Sequence, residues 1–345
     1  MESKVYDFKL TTDGKLADVI GEIDHLNSRW KSIEQKESKK IKQLKTIAIL
    51  QSVGASTRIE GSNMTNETIN NLLKNTDTTK SEDKHAREAI GYFEALNKII
   101  KSAKTLSVTE TDIKNIHGIL MKHSLIEEKY KGHYKTQRNS VEIVFPSGKQ
   151  TIFRTADAGS ATENALKRLI EWYHKDQTVH PLIKIATFIY EFLSIHPFQE
   201  GNGHLSRLFS TFLLLKNEYK WVICISLEQE IEKYKNDYYQ TLRYCQTLRP
   251  NENITDWVLF FLKNLNNIQS QLMNNFTQRG VEVRLSPREQ LIISVIQKHP
   301  NIQSGEVAKR LGLPSPSVKR TLAGLLVKGV VKRGGSGNVT SYWLR

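Results

Sequence analysis

Apolar residues recur at the three-and-four spacing of an amphipathic helix through almost all of the first 280 residues. A chain patterned in that way buries its stripes by packing helix on helix. Leu16 to Ala48 reads as one or two lysine-rich helices, and Ile47 to Glu60 continues helical to a stop at Gly61. Ser81 to Lys104 opens with a serine and two acids, then carries Ile90, Phe93, Leu96 and Ile99 at helical spacing. Thr109 is an expected N-cap for a segment reaching His123. Further helices are expected over Ser160 to His174, Leu182 to Ile195, Asn202 to Asn217, Ser226 to Leu248 and Asn253 to Gln278.

The pattern changes twice. Val141, Ile143 and Phe145 alternate with polar residues, Pro146-Ser147-Gly148 marks a turn, and Thr151-Ile152-Phe153 resumes extended, which predicts a β-hairpin between Gly132 and Thr155. Gln278-Arg279-Gly280 reads as a linker. Beyond it, Ser286 to Lys298 (Pro287 in the first turn), Ser304 to Leu311 (ended by Gly312) and Pro316 to Lys328 (ended by Gly329) are short helices. Val330 to Lys332 and Thr340 to Leu344 flank the turn Gly334-Gly335-Ser336-Gly337, so three helices and a two-stranded wing make a winged helix-turn-helix. The expected organisation is an N-terminal helical region over 1–80, an all-α core over 81–279 and the winged helix over 280–345.

Charge narrows the partners. Of a net +14, the last 60 residues carry ten basic and two acidic side chains. That bias favours nucleic acid as the partner of the C-terminal unit, with a protein-binding role as the competing reading. Two cysteines, Cys224 and Cys245, are too few for a disulfide framework or a thiolate zinc site and fit a reducing cytoplasm. No apolar run approaches the roughly 20 residues that span a bilayer, and residues 1–9 lack a signal-peptide core, so a cytoplasmic protein without a membrane partner is expected.

Chemistry is concentrated in His196-Pro197-Phe198-Gln199-Glu200-Gly201-Asn202-Gly203-His204-Leu205-Ser206-Arg207, set between two apolar helices. Gly201 and Gly203 can turn backbone N–H groups toward an anion, and the next helix adds its positive end. Arg207 offers a bidentate fork to phosphate, Glu200 a carboxylate for Mg²⁺, and His196 a base that ionises near neutrality. A Gly-Asn-Gly turn alone is commonly only a turn, whereas His, Phe, an acid, Gly-Asn-Gly and Arg together at this spacing point to a phosphate site.

These residues resemble the signature of the Fic (filamentation induced by cyclic AMP) family, His-Pro-Phe-x-Asp/Glu-Gly-Asn-Gly-x-x-x-Arg, and the likeness extends over about residues 85 to 250. The resemblance implies a Fic-type helical bundle and transfer of AMP from Mg-ATP to a Ser, Thr or Tyr hydroxyl of a target protein. It makes His196 the base, Phe198 the anchor of the loop, Glu200 the Mg²⁺ ligand and Arg207 the γ-phosphate ligand. Nucleotide contacts are implied at Gly201, Asn202, Gly203, His204, Leu205 and Ser206, and at Tyr239 near adenine beside Tyr238. His204 departs from the arginine common there, and Glu200 replaces the commoner aspartate. The hairpin resembles the family's flap, which pairs with the target backbone.

Ser56-Thr57-Arg58-Ile59-Glu60-Gly61 resembles the family's inhibitory motif in its N-terminal arrangement, which implies that Glu60 pairs with Arg207 while Ser56 supports the helix. The leading expectation is a self-inhibited protein adenylyltransferase. The alternatives are a DNA-binding regulator whose core senses nucleotide, and a Fic enzyme that removes AMP or moves another group. Target, DNA site and a homodimer stay open.

Overall fold

The computed structural model describes residues 2–74, 83–145, 148–277, 286–327, 330–335 and 340–344. It is an all-α protein with small two- and three-stranded sheets. The chain divides into two compact units, Met1–Met273 and Asn274–Arg345.

The larger unit opens with a hairpin, β1 (Glu2–Val5) and β2 (Phe8–Thr11), turned at Tyr6 with φ 56°. Val5, Phe8 and Leu10 alternate inward, and Lys9 exchanges backbone hydrogen bonds with Glu252 and Ile254. The sequence reading had no strand here, because the alternation is only a few residues long. Helix α1 (Gly14–Lys36) starts on Asp13, whose carboxylate accepts the Leu16 N–H, and a break at Glu37 separates it from α2 (Ser38–Ile59). Gly61 ends α2 with φ 100°, as a residue without Cβ can.

Helix α3 (Asn66–Lys74) is short and was not anticipated. Helix α4 (Lys84–Ser102) is capped by Asp83, while Ser81 lies outside the described residues. Thr109 caps α5 (Glu110–Met121) as expected, accepting the Asp112 N–H. The predicted hairpin forms from β3 (Ser140–Phe145) and β4 (Gly148–Arg154), antiparallel with a register shift between Val141 and Glu142; its Pro146-Ser147 turn is outside the described residues.

Helix α6 (Ser160–Lys175) then leads to α7 (Pro181–Ile195) and α8 (Asn202–Lys216), the centre of the core. Every α7 residue but Pro181 and Lys184 is buried, and a helix that is apolar on all sides has to lie inside a bundle. The stretch expected as one helix from Ser226 to Leu248 is two, α9 (Leu227–Lys233) and α10 (Lys235–Thr247), separated at Tyr234. Neither glycine nor proline marks that break, so periodicity runs straight through it. Helix α11 (Thr255–Thr277) follows and contains the boundary between Met273 and Asn274, and the expected linker at 278–280 falls outside the described residues. Cys224 and Cys245 are buried and free, and burial raises their thiols to about 12 and about 11.

In the smaller unit, α12 (Pro287–Lys298) is held by a reciprocal capping box between Ser286 and Glu289. Helices α13 (Ser304–Leu311) and α14 (Ser315–Val327) follow, with Gly312 in the left-handed conformation between them. Strands β6 (Val331–Gly334) and β7 (Ser341–Leu344) form the wing; β5 (Ile302–Gln303) adds a third strand in the order β5-β7-β6, where two were expected. Ile292, Ile296, Val307, Val318, Leu322 and Leu325 form its core. The expected cap at Gly329 and turn at Ser336-Gly337 lie outside the described residues. Among the described residues no helix is long and apolar enough to cross a membrane.

Candidate active site

Helix α7 ends at His196, which takes a left-handed conformation (φ 52°, ψ 62°) and donates its N–H to Phe192. A non-glycine residue there is strained unless its neighbours hold it. Its Nδ1 lies 3.1 Å from the Leu193 carbonyl, an obligate acceptor, so Nδ1 carries the proton and Nε2 keeps its lone pair. Burial pushes the imidazole down to about 4, which leaves it neutral at physiological pH.

The turn after His196 is locked from inside. Phe198 is fully buried and stacks on His117 of α5, centroids 3.8 Å apart. His117 accepts the Gly132 N–H at Nδ1, which puts its proton on Nε2, and that nitrogen donates to the Glu200 carbonyl at 3.0 Å. Burial lowers this imidazole to about 4 as well. The Asn202 side chain closes the turn on itself: Oδ1 accepts the Phe198 N–H at 2.9 Å and Nδ2 donates to the Phe198 carbonyl at 2.7 Å. Both polar atoms of its amide are thus engaged within the loop.

The two glycines differ in what surrounds them. Gly201 is left-handed (φ 79°), whereas Gly203 lies in the first turn of α8 and gives room to a neighbour: a Cβ there would stand 2.4 Å from Glu60 Oε1. Leu205 and Ser206 do not line the cleft. Leu205 is buried with its N–H on the Gly201 carbonyl, and the Ser206 hydroxyl donates to the Gly203 carbonyl, because both point into the bundle.

Arg207 is 2 % exposed and meets the end of α2. Its Nη2 donates to Glu60 Oε1 at 2.7 Å and its Nε to Ser56 Oγ at 2.9 Å. Ser56 Oγ also lies 2.8 Å from His204 Nδ1, and Arg207 Nη2 approaches that same nitrogen at 3.3 Å. A guanidinium can only donate, so Nδ1 is the acceptor, the Ser56 hydroxyl points at it, and the His204 proton sits on Nε2. That Nε2 is buried and has no partner among the described residues. Burial and then the Arg207 charge bring His204 down to about 3. Burial alone would raise the Glu60 carboxyl; Arg207 and His204 overrule it and hold it at about 2. Arg207 is shifted up by Glu60 against the opposing effect of burial.

Glu60, His196, Glu200, Gly201, Asn202, Gly203, His204, Arg207, Tyr238 and Tyr239 all border one cleft of about 320 Å³, joined by Lys84, His85 and Glu88 from α4. Glu200 is exposed at this cleft. Among the described residues no three His, Cys, Asp or Glu side chains cluster as metal ligands. A lone carboxylate suits Mg²⁺, which keeps several waters and is otherwise held by substrate phosphates. Arg58 pins the end of α2 from outside, its Nε and Nη2 donating to both oxygens of Glu232 at 2.6 and 2.8 Å. His117 and Arg58 escaped the sequence reading; a histidine on the apolar stripe of Ile113, Ile116 and Leu120 was the available signal for the first.

Residues 107–214 match the sequence model of the Fic/DOC family, and residues 285–332 match that of winged helix-turn-helix DNA-binding domains. The chain carries a Fic/DOC domain and a C-terminal winged helix-turn-helix. It is 26% identical to the protein adenylyltransferase Fic of Drosophila erecta over 223 residues, which are 61% of this chain and 42% of that protein. The chain thus spans about two fifths of that relative. A Fic family protein from Desulfovibrio desulfuricans superposes with a TM-score of 0.65 at 20% identity, covering 97% of both chains. A Fic domain-containing signalling protein from Bacteroides thetaiotaomicron gives 0.57 at 23% identity, covering 74% of this chain and 94% of that one.

Proposed function

We propose that this protein is a protein adenylyltransferase that moves AMP from Mg-ATP to a Ser, Thr or Tyr hydroxyl of a target protein, and that Glu60 holds it inactive. The observation that carries the reading is a neutral His196 with its Nε2 lone pair free, in one cleft with the Arg207–Glu60 ion pair. The name of the Drosophila relatives supports the transferred group.

In this mechanism the amino end of α8 receives the nucleotide phosphates, where backbone N–H groups and the helix dipole favour anions. Mg²⁺, when bound through Glu200, supplies charge neutralisation of the phosphates. His196 Nε2 takes the proton from the acceptor hydroxyl as its oxygen bonds to the α-phosphorus. The bond from the α-phosphorus to the bridging oxygen breaks, pyrophosphate leaves, and the target retains AMP as a phosphodiester. Leu193, by accepting from Nδ1, keeps the lone pair on the nitrogen that has to receive the proton. Glu60 opposes this cycle by neutralising the one arginine of the turn and placing a like charge where a terminal phosphate would sit.

The test uses purified wild type, Glu60→Gly and Glu60→Gly/His196→Ala with Mg²⁺, α-labelled ATP and a cell lysate as target source. Label on protein should appear with Glu60→Gly and vanish in the double variant. Equal labelling of wild type and Glu60→Gly would remove Glu60 as the brake, and no label from any of the three would remove the transfer reaction. A second reading, a DNA-binding regulator that senses nucleotide, draws on the winged-helix match and the basic C-terminal unit.

A further inference from the structure

Lys135, between α5 and the hairpin in sequence, is 1 % exposed and is the one lysine that is buried among the described residues. Its ammonium donates to three oxygens from three separate segments: Asn139 Oδ1 at 2.9 Å, Thr155 Oγ1 at 2.9 Å and the Ile195 carbonyl at 3.0 Å. Its backbone N–H donates to the Pro197 carbonyl at 2.9 Å. The carbonyl groups of the residues immediately before and after His196 are therefore both held by one residue. Asn139 and Thr155 stand immediately before β3 and immediately after β4. Asn139 Nδ2 donates to the Phe198 carbonyl at 2.9 Å, and the Thr155 hydroxyl faces Asn139 at both its backbone oxygen (2.8 Å) and Oδ1 (2.6 Å).

A buried ammonium is retained only where its donors are all met, and here the three acceptors saturate it. The arrangement answers the problem set by His196, a non-glycine residue in the left-handed region whose side chain has to keep one tautomer and one direction. The cap bond to Phe192 fixes the end of α7, and Lys135 holds the carbonyls of Ile195 and Pro197, one residue to either side of His196, from the hairpin side.

We propose that Lys135 is a positioning residue for His196, and that with Asn139 and Thr155 it joins the base of the hairpin to the catalytic turn as one body. The proposal rests on the transfer reaction and on His196 as its base. A target strand aligned on the hairpin would then be registered directly against Nε2.

The experiment is made in the Glu60→Gly background with Lys135→Met, which keeps the length of the chain and removes the donors. The expected result is a transfer kcat lower by about 10- to 100-fold, as small misplacements of a catalytic group produce, with the Kd for ATP changed less than twofold. The ¹⁵N signals of the His196 ring, assigned against the His196→Ala spectrum, should shift in Lys135→Met. A kcat within twofold of the parent together with unmoved His196 signals would overturn the proposal. Should Lys135→Met lose its helical circular dichroism, Thr155→Val decides in its place: it removes one acceptor and leaves the ammonium, and a several-fold fall in kcat is expected, whereas the parent rate would overturn the proposal. If the Glu60→Gly parent binds ATP and transfers nothing, the transfer reading fails by itself. The His196 ring signals of Lys135→Met then decide the positioning role, moved signals supporting it and unmoved ones overturning it.

Discussion

The Ser56 hydroxyl bridges the end of α2 to two side chains of α8. Ser56 accepts from Arg207 and donates to His204, so its removal leaves a buried guanidinium N–H and a buried imidazole nitrogen without that partner. An unsatisfied buried polar group costs about 1–3 kcal/mol. Ser56→Ala is therefore expected to lower the thermal midpoint of the larger unit by several degrees, measured by calorimetry on the full chain; an unchanged midpoint would contradict the bridging role. Glu60 adds a pH signature. Its carboxyl is held at about 2 in the folded chain, below the roughly 4.3 of a free glutamate. A carboxyl depressed on folding stabilises above its unfolded value and loses that contribution as pH falls toward the folded one. Wild type should thus unfold at a higher temperature than Glu60→Gln at pH 7, and the gap should narrow below about pH 4. The carboxylate is a third exposed, so screening keeps the gap small. His196, Glu200 and Arg207 were readable from the spacing of the signature, because they bear groups with few other uses, whereas Glu60 was reached only through the resemblance to the family's inhibitory motif. His117 and Lys135 were not readable: one lies on an ordinary apolar stripe, and the other is one lysine among many, distinguished only by the three oxygens that folding brings to it.

At the scale of elements, the helices were legible wherever a cap or a glycine punctuates the pattern, as at Thr109, Gly61, Ser286 and Gly312. They were misread where tertiary packing alone sets the boundary. Tyr234 breaks α9 from α10 with no local breaker, and the first hairpin is held by backbone bonds to Glu252 and Ile254, some 240 positions away. The end of α2 depends on the same kind of distant support. Arg58 grips Glu232 with two hydrogen bonds and also donates to the Met64 carbonyl and Asn66 Oδ1. Arg58→Met should loosen the turn that presents Glu60 and raise labelling above wild type while staying below Glu60→Gly. In the Glu60→Gly background the same substitution should add less than twofold. Labelling by Arg58→Met equal to wild type would show that α2 holds Glu60 unaided.

For the whole molecule, the two units keep separate chemistry. Lys319 and Arg320 are exposed on α14, and Lys332 and Arg333 on β6, whereas the residues that line the cleft at His196 all belong to Met1–Met273. If the winged unit binds duplex DNA through α14, Lys319→Glu/Arg320→Glu should weaken binding at least tenfold and flatten its salt dependence, since each phosphate no longer neutralised by the protein takes close to one counterion out of the slope. Labelling by the Glu60→Gly chain should be unaffected by that pair of changes. Equal DNA affinity before and after would direct attention to a protein partner for this unit.

The burial of both cysteines has a practical consequence. With Cys224 and Cys245 enclosed and their thiols held far from ionisation, the native chain offers maleimide and similar reagents no ready nucleophile. A single cysteine installed beside Gly61 would consequently accept a fluorophore with little background. The departure of Glu60 from Arg207 could then be followed as a change in emission, in real time and without any knowledge of the natural target.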